Sequence, residues 1–237
     1  MICNMVFVVI VGIALLVIVV INILPMCSMH PLPSGKIEGT NMIAVKNRIN
    51  NLFFIPSGED WIVIDAGSDA KAVKREMELM AIDGQRVKSV FLTHTDYDHV
   101  ASVVLFPNAA IYMSGQEKQM IDGSVCRQLL KKNSLPALGD SNKMIYLQDN
   151  EVIDFGEHKV RIIWAAGHTK GSAMYAVDEK YLFTGDAFKA RDGHIAVHPY
   201  TMDRKQAQET IYGIKGELHK YEKVFTAHYG VISVYGD

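Results

Sequence analysis

The sequence predicts an α+β domain preceded by an N-terminal transmembrane helix, and three observations carry that reading. The run Met5 to Leu24, MVFVVIVGIALLVIVVINIL, has Asn22 as its only clearly polar residue. All 24 basic and 26 acidic residues lie after Ser34, so residues 36–237 are about one-quarter charged, as expected of an ordinary soluble domain. Within that part, apolar runs of strand length alternate with segments of helical spacing.

As a helix, the apolar run would span roughly 30 Å, the thickness of a bilayer core. A secretory signal would carry a basic start and a small-residue cleavage site, and neither MICNM nor LPMCSMH supplies one. Cys27 invites a lipoprotein reading, but Pro25 and Met26 are poor neighbours for a lipidated Cys. Residues 1–29 are therefore read as an anchor in preference to a signal segment, making the protein single-pass. Lys36, Lys46 and Arg48 follow the run and none precedes it, which weakly favours a cytoplasmic domain and leaves the side open. Only Cys126 lies inside the domain, so cysteine usage gives no sign of an oxidising compartment.

Residues 30–35, HPLPSG, read as a linker, and residues 36–237 as one domain, a length that buries a core without disulfides. Strands are expected at Met42–Val45, Leu52–Ile55 and Trp61–Ile64, with Ser57-Gly58-Glu59-Asp60 turning between the last two. Val73, Met77, Met80 and Ala81 mark one face of a helix over Ala70–Ile82, before a strand at Val87–Leu92. Later strands fit Ile111–Met113, Met144–Leu147, Val160–Trp164, Ala173–Val177, Tyr181–Phe183 and Val224–Thr226, and Asp203 opens a helix running to about Lys220. The net charge of −2 excludes a general nucleic-acid coat, and no nucleic-acid partner is expected.

After the strand ending at Leu92 stands Thr93-His94-Thr95-Asp96-Tyr97-Asp98-His99. Four imidazoles and carboxylates so close together would repel and desolvate poorly unless a cation sat among them, so a metal is the economical reading. Three further motifs follow strands: Ala166-Gly167-His168-Thr169-Lys170-Gly171-Ser172, Phe183-Thr184-Gly185-Asp186 and Thr226-Ala227-His228-Tyr229-Gly230. With Ile64-Asp65-Ala66-Gly67, this ordered set resembles the metallo-β-lactamase superfamily over essentially all of residues 36–237.

The resemblance implies an αββα sandwich with two divalent metals along one edge, zinc foremost. His94, Asp96 and His168 would hold one metal, Asp98, His99 and His228 the other, and Asp186 would bridge. Asp65 would support a ligand without binding metal itself. Asp96 departs from the pattern, since the family usually has His there. Three Asp and a bridging hydroxide then balance two dications, and such a neutral core admits iron or manganese. His30, His158, His194, His198 and His219 match no ligand motif and read as structural or surface residues, although His198 and Tyr200 could line a cleft. Lys170 is expected to face solvent.

Two metals about 3.5–4 Å apart present a bridging hydroxide and polarise the bond to be cleaved. Asp98 is the candidate catalytic residue that orients that hydroxide. The expected function is hydrolysis of a small ester, thioester or lactone, in the branch that includes hydroxyacylglutathione hydrolases. The chain's end nine residues after His228 leaves out the extra C-terminal helical region that carries much of those enzymes' glutathione site. The alternatives are a phosphodiesterase, a β-lactamase, a flavodiiron-like redox protein with a di-iron site, and a non-catalytic binding module. The commonest metallo-β-lactamases have Cys at the position of Asp186.

Overall fold

The computed structural model describes residues 10–13, 17, 20, 24–127, 131–191 and 193–232. Most of Met5–Leu24 lies outside them, and among the described residues no helix is long and apolar enough to cross a membrane. Residues 30–35 run along the domain: His30 N–H donates to the His228 carbonyl (2.8 Å) and Leu32 N–H to Asn51 Oδ1 (2.7 Å).

One sheet holds β1 (Gly35–Lys36), β2 (Ile43–Asn47), β3 (Asn50–Ser57), β4 (Asp60–Ile64), β5 (Val87–Phe91), β6 (Ala110–Ser114) and β7 (Lys143–Leu147), in that spatial order. Pairing is antiparallel from β1 to β4 and parallel from β4 to β7. The second half of the chain contributes β8 (Val152–Asp154), β9 (Lys159–Trp164), β10 (Ala173–Val177) and β11 (Tyr181–Phe183). A ribbon of β12 (Lys189–Arg191) and β13 (His194–Ala196) follows, then β14 (Lys223–Phe225) and β15 (Val231–Ile232). The second sheet runs β15-β14-β11-β10-β9-β8, with β11 and β14 parallel.

The layering follows from strands that are apolar on both faces. Phe53 and Ile55 of β3 point between the sheets, where they join Phe91, Tyr175, Phe183 and Phe225. Leu52 and Phe54, their alternates, face outward under the helix Ala70–Leu79 and pack with Val73 and Met77. On the far side, Met174, Ala176 and Leu182 meet Ile214 and Leu218 behind the helix Arg204–Lys215. Two sheets with helices outside both make the expected α+β sandwich.

Element ends differ from expectation for local reasons. The helix from Ala70 stops at Leu79 because Ala81 turns left-handed (φ 54°), which lets Ile82 N–H cap the Met77 carbonyl and tuck its side chain into the core. Asp203 caps its helix by accepting from Gln206 N–H at 3.0 Å. That helix ends at Lys215, and the remaining turn, Leu218–Lys220, is a separate 3-10 helix that buries Leu218.

Candidate metal centre

Loops after β5, β9, β11 and β14 meet at one edge of the sandwich and carry His94–His99, His168, Asp186 and His228. Gly185 makes the approach possible: its φ is +51°, and a Cβ there would lie 2.4 Å from Thr93 Oγ1. Glu117, just after β6, ties two of the loops together. Its carboxylate accepts from Thr95 N–H and Oγ1 (both 2.7 Å), Thr169 Oγ1 (2.7 Å) and Gly171 N–H (3.1 Å), while burial pushes the carboxyl's pKa up.

All seven sequence-derived ligand candidates converge. Ligands about 2.0–2.2 Å from a tetrahedral ion stand roughly 3.4 Å from one another. In the half of the site around Asp98, the Asp98 Oδ2 lies 3.6 Å from His99 Nε2 and 3.5 Å from His228 Nε2. Asp186 Oδ1 is 3.7 Å from His99 Nε2 and 3.1 Å from His228 Nε2. Around Asp96, its Oδ2 lies 3.5 Å from His94 Nε2 and 3.1 Å from His168 Nε2, and Asp186 Oδ2 is 3.4 Å from His168 Nε2. Both sets have the spacing of a ligand shell.

Ring orientation tests the fit further. His99 Nδ1 donates to Asp65 Oδ2 (2.8 Å), and His228 Nδ1 donates to the Ile49 carbonyl (2.7 Å). A neutral imidazole with Nδ1 protonated keeps its lone pair on Nε2, so both lone pairs point at the carboxylates of Asp98 and Asp186. Such facing groups need positive charge between them, which a metal ion or a second imidazole proton supplies. His94 Nε2, His99 Nε2 and Asp186 Oδ1 are buried with no hydrogen-bond partner among the described residues, and they gather within 4.8 Å. Burial opposes protonation of His99, yet the charges of Asp65, Asp98 and Asp186 raise its pKa well above normal. Burial likewise works against the Asp186 charge, but His228 and its neighbours hold the carboxyl well below the usual range. The donor set fits a divalent metal.

Asp65 also accepts from Thr93 N–H (2.8 Å), which locks the loop that begins the His94 segment. His198 is drawn into the site: it is buried, its ring stacks on His228 (5.4 Å between centroids), and its Nε2 lies 3.8 Å from Asp186 Oδ2. Burial lowers the His198 pKa to about 3. His158 instead bonds Asp178 and the Pro56 carbonyl, and Lys170 is exposed. Arg127, which no sequence motif marks, enters the site beside Asp96 and His168. A cleft of about 790 Å³ opens over the centre, with Met26, Met29, Ile49, Tyr200 and Met202 among its lining residues.

Residues 45–211, more than half of the chain, match the metallo-beta-lactamase superfamily. A metallo-beta-lactamase fold-containing protein of Sulfurisphaera tokodaii is similar at 23% identity over 231 residues, covering 89% of this chain and 81% of that protein. A hydroxyacylglutathione hydrolase of Glaesserella parasuis shares 28% over 185 residues, covering 76% of this chain and 66% of its own length. The solved structure of a B3 metallo-beta-lactamase with an active-site glutamic acid has the same fold, with a TM-score of 0.64 at 17% identity over 84% of this chain and 80% of that one. By its sequence match and by the histidines and aspartates gathered at the sandwich edge, the chain belongs to the metallo-β-lactamase superfamily.

Proposed function

We propose that this metal-dependent hydrolase cleaves a small ester, thioester or lactone. The observation that carries the reading is the set of imidazole lone pairs and carboxylate oxygens facing one another around Asp98, His99, His228 and Asp186. These residues would hold a divalent ion, and their mixed nitrogen and oxygen donors suit zinc. An ion bound there supplies a Lewis acid and makes water acidic enough to attack near neutral pH.

The chain's own residues do the rest. Asp98 is the most exposed of this set, at 31% for its side chain against 5% or less for the others, so its carboxylate faces the cleft and can orient the attacking water and receive its proton. Asp65 and the Ile49 carbonyl keep the His99 and His228 rings from rotating. The methionines and Ile49 at the cleft present an apolar surface for an acyl group, with Tyr200 beside them. The Glaesserella parasuis relative, a hydroxyacylglutathione hydrolase, supports an acyl thioester among the substrates.

Stripping the chain of metal and assaying ester, thioester, lactone, phosphodiester and β-lactam substrates tests this. Acyl hydrolysis should vanish with chelation and return with Zn2+. Equal rates without metal, or turnover confined to phosphodiesters or β-lactams, would overturn it. Membrane attachment through residues 1–29 is a separate proposal, supported by the apolar run Met5–Leu24, in which Asn22 is the one clearly polar residue. The full chain should stay in the membrane pellet after alkaline carbonate, and its release would sink that idea.

A further inference from the structure

The half of the site around Asp96 already holds a cation. Arg127 Nε donates to Asp96 Oδ1 at 3.0 Å, and its Nη2 pairs with Asp96 Oδ2 at 2.5 Å, the two-pronged geometry that a planar guanidinium makes with a carboxylate. Two backbone carbonyls fix the guanidinium independently of Asp96: Nη1 donates to Tyr200 (2.5 Å) and Nη2 to His168 (3.2 Å). Asn133 Nδ2 adds a second donor to Asp96 Oδ1 at 3.0 Å. Both carboxylate oxygens are therefore engaged by protein N–H groups.

His168 is engaged as well. Its Nε2 lies 3.1 Å from Arg127 Nη2 and 3.1 Å from Asp96 Oδ2. In one tautomer Nε2 accepts from Arg127, and in the other it donates to Asp96. Either way its single in-plane lone-pair position is used, so Nε2 has nothing to give a metal. His99 Nε2, across the site, has no such partner, and neither has His94 Nε2, which gathers with His99 and Asp186.

Charge leads to the same conclusion. Asp96, Asp98 and Asp186 bring three negative charges to the site, and one guanidinium plus one dication cancels them. A second dication on top of Arg127, even with a bridging hydroxide, would leave one positive charge uncompensated.

We infer that Arg127 is a built-in counter-cation that takes the place of the first metal, so that the chain binds one divalent ion, at Asp98, His99, His228 and Asp186. The inference rests on the metal-dependent reading above and narrows it. Asp96, where the family usually has His, becomes a partner for arginine and not a ligand.

The test is metal stoichiometry of the full chain, by zinc titration of metal-free protein and elemental analysis, with Co2+ absorption as a second readout. Wild type should bind one equivalent and show one set of Co2+ bands. Arg127→Ala, and Arg127→Met, which keeps the aliphatic bulk, should bind two and gain a second set. Asp96→Asn should stay at one. Two equivalents in wild type, no gain in either arginine variant, or loss of the ion in Asp96→Asn would overturn the inference. Hydrolysis with two bound ions would refute Arg127 as counter-cation and leave the hydrolase reading standing. One ion with no substrate turned over would do the reverse.

Discussion

The two halves of the centre show two answers to one electrostatic problem. Each gathers carboxylate oxygens and imidazole nitrogens at 3.1–3.7 Å, where acceptors facing acceptors demand positive charge. Around Asp96 the charge arrives on a side chain, Arg127, held by carbonyls from two loops. Burial opposes the Asp96 charge, yet His168 and His94 beside it hold its carboxyl far below the usual range. Around Asp98 the lone pairs are aimed by Asp65 and Ile49 and left open, which is how a protein prepares a metal site. One half thus receives its positive charge from the fold, and the other awaits an ion from solution.

If that contrast holds, damage to the open half should cost most. Asp98→Ala removes both a ligand oxygen and the group that receives the proton, so kcat/KM on any hydrolysed substrate should fall about 10³-fold or more, with loss of metal in elemental analysis. Retention of metal and rate would make the two halves equivalent.

Glu117→Ala strikes the scaffold between the halves. It strips an acceptor from buried donors on the Thr95 and Thr169 loops, and the unfolding free energy of the metal-loaded chain in urea should drop by about 3 kcal/mol. An unchanged midpoint would mean that the loops hold their places without it.

A smaller effect separates the halves. Asp65→Asn disturbs the hydrogen bond that orients His99 but does not touch Arg127, so zinc affinity, measured by competition with a chromophoric chelator, should weaken about 10–100-fold at unchanged stoichiometry. Equal affinity would show that His99 needs no such support. Lys170→Ala should change kcat/KM by no more than about 2-fold, since the side chain is exposed. A larger loss would bring the His168 loop into substrate binding.

Much of the sandwich was legible beforehand because strand-length apolar runs and a capping Asp203 are local signals. The short strands β1, β8, β12, β13 and β15 were not read from the sequence, whereas the equally short β11 and β14 were, each leading into a ligand motif. In the site, the ligand motifs were legible because each sits directly after a strand in a compact run of ligand-capable residues. Glu117 was not assigned to the site, and His198 only as a residue that could line the cleft, for each stands alone in its own stretch and what it touches comes from loops far along the chain.

The sequence by itself determined the chemistry on offer: three carboxylates and four imidazoles after strand ends, with an aspartate where a histidine is usual. Read alone, it let the extra negative charge balance two dications with their bridging hydroxide. Which charge answers was decided only by the tertiary structure, because Arg127 lies 31 residues beyond Asp96 and 41 before His168. No spacing rule links those positions. Only the packing of their loops over one sheet edge brings a guanidinium within hydrogen-bond reach of both, where burial makes its charge count.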